Sequence, residues 1–367
     1  MNVHRCLLSF LALTMLVGCQ QAARPNLAAE APTSASPAQA PTQTALPAAM
    51  GVGVQSTVVP PPPPGGSPDT RAPLLPTTPP DDPLPLTSHG EVVFDRINKG
   101  LSPQACSAGS NSTRWRHRYA DNPEAFARHL EQILPLLDFV SAEVERANLP
   151  AEFVFIPLVE SWYRPDAIGS LGPAGMWQMI PSTARNHGIH IQPGYDGRLS
   201  PVESTRAALS YLKTLKEMFG GWEAIVMAYN SGEGRMLNAF RRAQNRRVSA
   251  ADRKPHGLSN TTYDYVAKLQ ALSCLISLPQ REGLQLPLSA KFVPLAPVLM
   301  DARIETLEQF AASQGQDAQL LRRLNPGYKG GKVVAGVPRL VLTPIGALPA
   351  PVTVADDSAA RWPKLIR

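Results

Sequence analysis

Between residues 123 and 278 the apolar residues recur at three- and four-residue spacing, and period-2 alternation is nearly absent. A chain patterned this way can hide its apolar surface only as packed helices. In PEAFARHLEQILPLLDFVSAEVER the stripe is Phe126, Leu130, Ile133, Leu134, Leu137, Val140 and Val144, with Pro135 as an interruption to watch. A second helix is expected over 152–163, where Pro157 either kinks it or marks its true start. A short one is expected over 182–188, opened by Pro181-Ser182. PVESTRAALSYLKTLKEMF (Pro201–Phe219) has proline at its start and Gly220-Gly221 at its end, the usual asymmetry of helix termini. Further helices are expected over 222–229 and 263–278. The fold class expected is mainly α, with one helical domain over 91–280.

The flanks are of another kind. Residues 20–90 are rich in Pro, Ala, Thr and Ser, including five consecutive prolines at 60–64. Such a segment buries too little apolar surface to offset its ordering entropy, so a disordered tether with polyproline II stretches is expected. At about 3 Å per residue it could reach on the order of 200 Å. Residues 1–19 place Arg5 ahead of the apolar run CLLSFLALTMLV, too short to span a bilayer but suited to a signal peptide. The closing Leu16-Val17-Gly18-Cys19 resembles the lipobox of bacterial lipoproteins. That resemblance implies a diacylated Cys19 as the mature N-terminus. Gln20, in place of an aspartate, points to the periplasmic face of the outer membrane. At the other end, residues 281–348 read as β-α-α-β: extended 294–300, helices 304–313 and 318–324, a turn at Asn325-Pro326-Gly327 and a strand at 338–342. This α+β piece, with LLRRLNPGY at 320–328, loosely resembles one LysM-type glycan-binding module. The usual Gly-Asp-Thr-Leu opening is missing, and a small capping subdomain without a ligand is the other reading. Residues 349–367 are expected to be a flexible tail.

Composition narrows the function classes. The formal charge of +6 is modest and scattered, densest in RRAQNRR at 241–247. No helix-turn-helix, zinc-knuckle or RNA-binding pattern accompanies it, so nucleic acid is set aside. His187 and His190 lie close together without a third ligand, and no phosphate-binding glycine loop is present, so neither a metal nor another cofactor is expected. Of four cysteines, Cys6 leaves with the signal and Cys19 takes the lipid. Cys106 and Cys274 can then pair in an oxidising compartment, or stay as two buried thiols.

Residues 153–178 carry the chemistry. The run FVFIPLV ends on Glu160, and a carboxyl beside that much apolar surface should be desolvated and hold its proton towards neutral pH, as a general acid must. Four stretches fall at helix ends or turns in this order: Glu160-Ser161, Gly175-Met176-Trp177-Gln178, AYNSGEGR at 228–235, and Tyr265-Val266. Together they resemble the soluble-lytic-transglycosylase catalytic domain, of the membrane-bound lytic murein transglycosylase D type, over residues 110–280. The resemblance implies a lysozyme-like helical fold and cleavage of the β-1,4 bond between N-acetylmuramic acid and N-acetylglucosamine in peptidoglycan. Carried over, Glu160 is the acid/base and Ser161 hydrogen-bonds near it. Gln178 and the backbone of Gly175, Met176 and Trp177 line the groove, Trp177 stacking on a sugar or packing in the wall. Tyr229 and Asn230 contact the sugar and its N-acetyl group, and Tyr265 orients Glu160. Implied partners are glycan strands, the membrane through the lipid, and cell-envelope protein complexes.

An ordinary glycosidase needs two carboxylates. Asp166 and Glu233 are the visible second candidates, each with a surface or capping role as the alternative. If neither acts, the substrate assists itself: its acetamido oxygen stabilises C1 and its C6 hydroxyl closes a 1,6-anhydro ring, so one carboxylate suffices. A hydrolytic muramidase and a non-catalytic peptidoglycan-binding lipoprotein are the competing readings.

Overall fold

A computed structural model describes residues 87–102, 106, 110–170, 172–243, 255 and 257–345. The expectations for the leader with Cys19, nearly all of the tether and the C-terminal tail lie outside those residues. Among the described residues, strand β1 (Ser88–His89) is followed by helices α1 (Gly90–Gly100), α2 (Ser110–Tyr119), α3 (Pro123–Arg146), α4 (Ile156–Ser161) and α5 (Pro181–Asn186). A two-residue hairpin, β2 (Ile191–Gln192) and β3 (Tyr195–Asp196), leads to α6 (Pro201–Phe219), α7 (Trp222–Ser231), α8 (Glu233–Ala243) and α9 (Asn260–Ser277). Then come β4 (Lys291–Phe292), β5 (Leu295–Leu299), α10 (Leu307–Gln314), α11 (Ala318–Leu324) and β6 (Leu340–Pro344). No helix among the described residues is long and apolar enough to cross a membrane.

α3 starts where Asn122 accepts the Ala125 amide at 2.9 Å, and it runs straight through Pro135. An internal proline costs about 3 kcal/mol. Burial of Leu130, Ile133, Leu134, Leu136, Leu137 and Val140 on either side, at about 1.5–3 kcal/mol each, outweighs it. The helix expected over 152–163 is instead two pieces, a 3-10 turn over Ala151–Phe155 and then α4, with Pro157 in α4's first turn. Pro157 therefore marks the start. The chain stops at Trp162 and Tyr163, both left-handed at φ 56° and 60°. α1 and α2 were not anticipated, nor was α8. Gly232, at φ 88°, separates α7 from α8, so Glu233 opens a helix rather than sitting in a turn.

Among the described residues the main core cluster is drawn chiefly from α3, α4, α6, α7 and α9. α9 runs through it with Leu269, Ala271, Leu272 and Leu275 fully buried, and α2 packs along α9. Cys106 and Cys274 are bonded, with their Cα atoms 4.8 Å apart, across 168 residues of chain.

The C-terminal piece has the β-α-α-β order, with β5 and β6 antiparallel from Leu295 opposite Pro344 to Leu299 opposite Leu340. It does not stand apart from the helices. Leu295, Leu324 and Leu342 join the main core, and Tyr195 from the β2–β3 hairpin lies in the apolar cluster of the C-terminal piece. Tyr195 and Tyr328 rings are 4.9 Å apart, and the Asp196 amide donates to the Gly327 carbonyl at 3.0 Å. β1 pairs with β4, tying the start of the described chain to the same region.

Candidate active site

Glu160 occupies the last turn of α4, whose preceding residues 153–158 are buried almost without exposure. Packing thus fixes the helix, and the left-handed pair after it turns the chain away. The Glu160 carboxyl is half-buried at the edge of a groove of about 590 Å³. Tyr265 in α9 donates its hydroxyl to Oε1 at 2.7 Å. Burial raises the Glu160 pKa to about 7, against the Tyr265 hydrogen bond and the Lys268 charge, which both lower it. Burial also lifts the Tyr265 and Tyr229 phenols far above their usual range, so both remain donors.

The opposite wall comes from α7 and α6. Tyr229 and Asn230 sit in the last turn of α7, and Thr262 donates to the Asn230 Oδ1 at 2.9 Å, which leaves the amide's donor end for the groove. The Tyr211 ring stands 5.7 Å from that of Tyr229, and its hydroxyl donates to Glu233 Oε2 at 2.7 Å. Gln178 and Met179 close the side facing Glu160, and Arg235 lies on the rim.

Ser161, Gly175, Met176 and Trp177 do not line this groove. Met176 and Trp177 are fully buried, and the Trp177 indole donates to Thr205 Oγ1 at 3.0 Å, so the sugar-stacking expectation gives way to packing. The backbone of these residues is committed as well. Gln178 Nε2 takes the Gly175 carbonyl at 2.8 Å, Ser161 Oγ the Met176 carbonyl at 2.9 Å, and the Tyr229 hydroxyl the Trp177 carbonyl at 2.9 Å. Ser161 is buried and bonds to this loop, not to Glu160. Gly175 is required for another reason: at φ 76° an added Cβ would lie 1.8 Å from the Arg198 carbonyl oxygen. These four residues position the loop that carries Gln178.

Neither of the second carboxylates lines the groove. Asp166 is exposed and pairs with Arg164 at 3.2 Å. Glu233 is held by Tyr211 and does not line the groove. His187 meets Ser210 and His190 meets Glu203. Among the described residues no group of three or more His, Cys, Asp or Glu could hold a metal ion.

Residues 139–251, which hold Glu160, the Gln178 loop and the α7 wall, match the family described as Transglycosylase SLT domain. Membrane-bound lytic murein transglycosylase D of Escherichia coli K12 is 36% identical over 211 residues, covering 57% of this chain and 46% of that protein. The peptidoglycan transglycosylase gp16 of Escherichia phage T7 is 40% identical over 81 residues, 22% of this chain and 6% of the phage protein. The chain therefore spans about half the length of the Escherichia coli relative. A solved complex of the 70-kDa soluble lytic transglycosylase with bulgecin A aligns at 20% identity and a TM-score of 0.35, over 50% of this chain and 32% of that one.

The SLT match ends before α9, yet α9 completes the site. Thr262, Tyr265 and Lys268, spaced by three on one helix, serve Asn230 and Glu160 in turn. Only Tyr265 was singled out from the sequence; stepping by three along the same helix would have found the other two. Arg198 and Tyr211 carried no such signal. Arg198 is buried and pairs with Asp196 at 2.8 Å, and it donates to the Gly172 and Met179 carbonyls at 2.6 and 3.2 Å, pinning both ends of the Gln178 loop.

Proposed function

We propose that this protein is a peptidoglycan lytic transglycosylase, cleaving the β-1,4 bond between N-acetylmuramic acid and N-acetylglucosamine without water, with Glu160 as its single acid/base. The observation that carries the reading is the groove's carboxyl inventory: Glu160 lines it and holds a proton near neutral pH, Asp166 pairs with Arg164, and Glu233, beside the groove, is held by the Tyr211 hydroxyl. Protonated Glu160 gives its proton to the glycosidic oxygen as the C1–O bond breaks, and the substrate's 2-acetamido oxygen stabilises C1. The Glu160 carboxylate then takes the C6 hydroxyl proton, and that oxygen closes on C1. The proton count is restored, and the new chain end is a 1,6-anhydro sugar. Tyr265 aims Glu160, Asn230 meets the N-acetyl group, and Gln178, Tyr229 and the Tyr211 ring shape the sugar's berth.

The tether and the lipid at Cys19 place this activity on the periplasmic face of the outer membrane, in keeping with the membrane-bound relative. For the C-terminal piece, its leucines in the main core support a capping role over an independent LysM-like glycan binder.

The test is mass spectrometry of fragments released from purified peptidoglycan by the full chain beside Glu160→Gln. Wild type should release muropeptides lighter by one water than hydrolytic products, and the variant should release none. Hydrated reducing ends would make the enzyme a muramidase. Binding without release by wild type would leave a non-catalytic binder.

A further inference from the structure

Three cations, one of them Lys268 whose charge reaches Glu160, converge on one buried indole. The Arg114 and Arg118 guanidiniums lie 5.4 Å from the Trp115 ring centroid, and the Lys268 ammonium lies 4.6 Å from it. Arg114 is neutralised by Asp264 at 2.9 Å. Among the described residues no carboxylate forms an ion pair with Arg118 or Lys268. Burial lowers the Lys268 pKa, the Glu160 and Asp264 charges pull it back up, and the Arg118 charge lowers it further. Glu160 must be protonated when the reaction starts, so at that moment the cluster carries two positive charges in excess. Two cations without a carboxylate partner, held against one buried ring, repel each other, and an anion between them relieves that repulsion. Lys268 stands one helical turn past Tyr265, whose hydroxyl holds Glu160, so the cations lie alongside the reacting centre rather than on a remote surface.

We propose that Arg118 and Lys268, held against Trp115 beside Glu160, form an anion subsite for a carboxylate carried by the substrate. The inference rests on the glycan-cleaving reading above. Two carboxylate sources exist on such a substrate: the lactyl group of a peptide-free muramic acid, and the acidic residues of an attached peptide. Both present the same chemistry to a guanidinium and an ammonium.

The full-length Glu160→Gln protein, which can bind without cleaving, would be titrated with peptide-stripped and peptide-bearing GlcNAc–MurNAc oligomers. Each is compared with the same oligomer after its carboxylates are amidated with methylamine. At least one carboxylate form should bind about tenfold more tightly than its amidated twin. The oligomer that shows the difference identifies the source. Arg118→Gln, at an exposed position, should erode that preference while its affinity for the amidated oligomers stays put, and Lys268→Gln should erode the preference as well. Equal affinity within both pairs, or a preference that survives in the double variant, overturns the subsite and leaves the catalytic reading untouched. Failure to bind any oligomer overturns both.

Discussion

In the proposed reaction a single carboxyl, Glu160, does both the acid and the base work, and its protonation sets when it can act. Because Glu160 must start protonated and its pKa is about 7, kcat should fall as pH rises through neutrality, and a pH–rate profile checks this. Glu160→Gln should cost about 10²–10⁴-fold in rate. It should also stabilise the fold. The folded pKa is raised above the ordinary 4.5, so the unfolded chain gives up this proton first, and stability drains away between about pH 4.5 and 7. The gain from Glu160→Gln should therefore be larger at pH 8 than at pH 5, by up to roughly 2–3 kcal/mol, as read from denaturant unfolding at the two pH values. Tyr265→Phe removes the hydrogen bond that holds Oε1 and lowers the Glu160 pKa. It should reduce kcat on the order of 10- to 100-fold with little change in KM, and move the alkaline limb to higher pH. A loss of rate with the limb unmoved would mean that Tyr265 only packs.

At the scale of elements, the groove depends on a loop that reaches it only through Pro173, Gln178 and Met179. Gly175→Ala puts a methyl group into the Arg198 carbonyl at a left-handed backbone position, and should cost at least about 3 kcal/mol with activity lost alongside. α9 is clasped differently, by the bond from its Cys274 to Cys106 in the segment ahead of α2. A closed loop of this length constrains the unfolded chain by about 5 kcal/mol in the chain-entropy model. Cys106→Ser should therefore lower Tm by several degrees while kcat at low temperature holds, because neither cysteine lines the groove. A collapse of kcat with Tm unchanged would contradict that division of labour.

On the scale of the whole molecule, the helical body and the β-α-α-β piece share core residues, so the described chain should melt in one transition. Truncation after residue 284 would strip Leu295, Leu324 and Leu342 from the core and uncover Tyr195, and should lower Tm by more than about 10 °C in a calorimetric scan. The sequence alone determined the helical class and α6 to the residue, because these rest on local signals, helical periodicity and proline and glycine at helix ends; that Tyr229, Asn230 and Tyr265 belong with Glu160 was implied by a family resemblance and not by any local signal. It also kept open whether Trp177 faced sugar or core, whether Pro135 broke α3, and which acids stood near the reacting bond. Those answers are not local. Burial on both sides of Pro135, a threonine hydroxyl waiting for the Trp177 indole, and an arginine 2.6 Å from a loop carbonyl are contacts between residues far apart in the chain. Only packing brings them together, and only packing puts three cations around Trp115 next to the acid they surround.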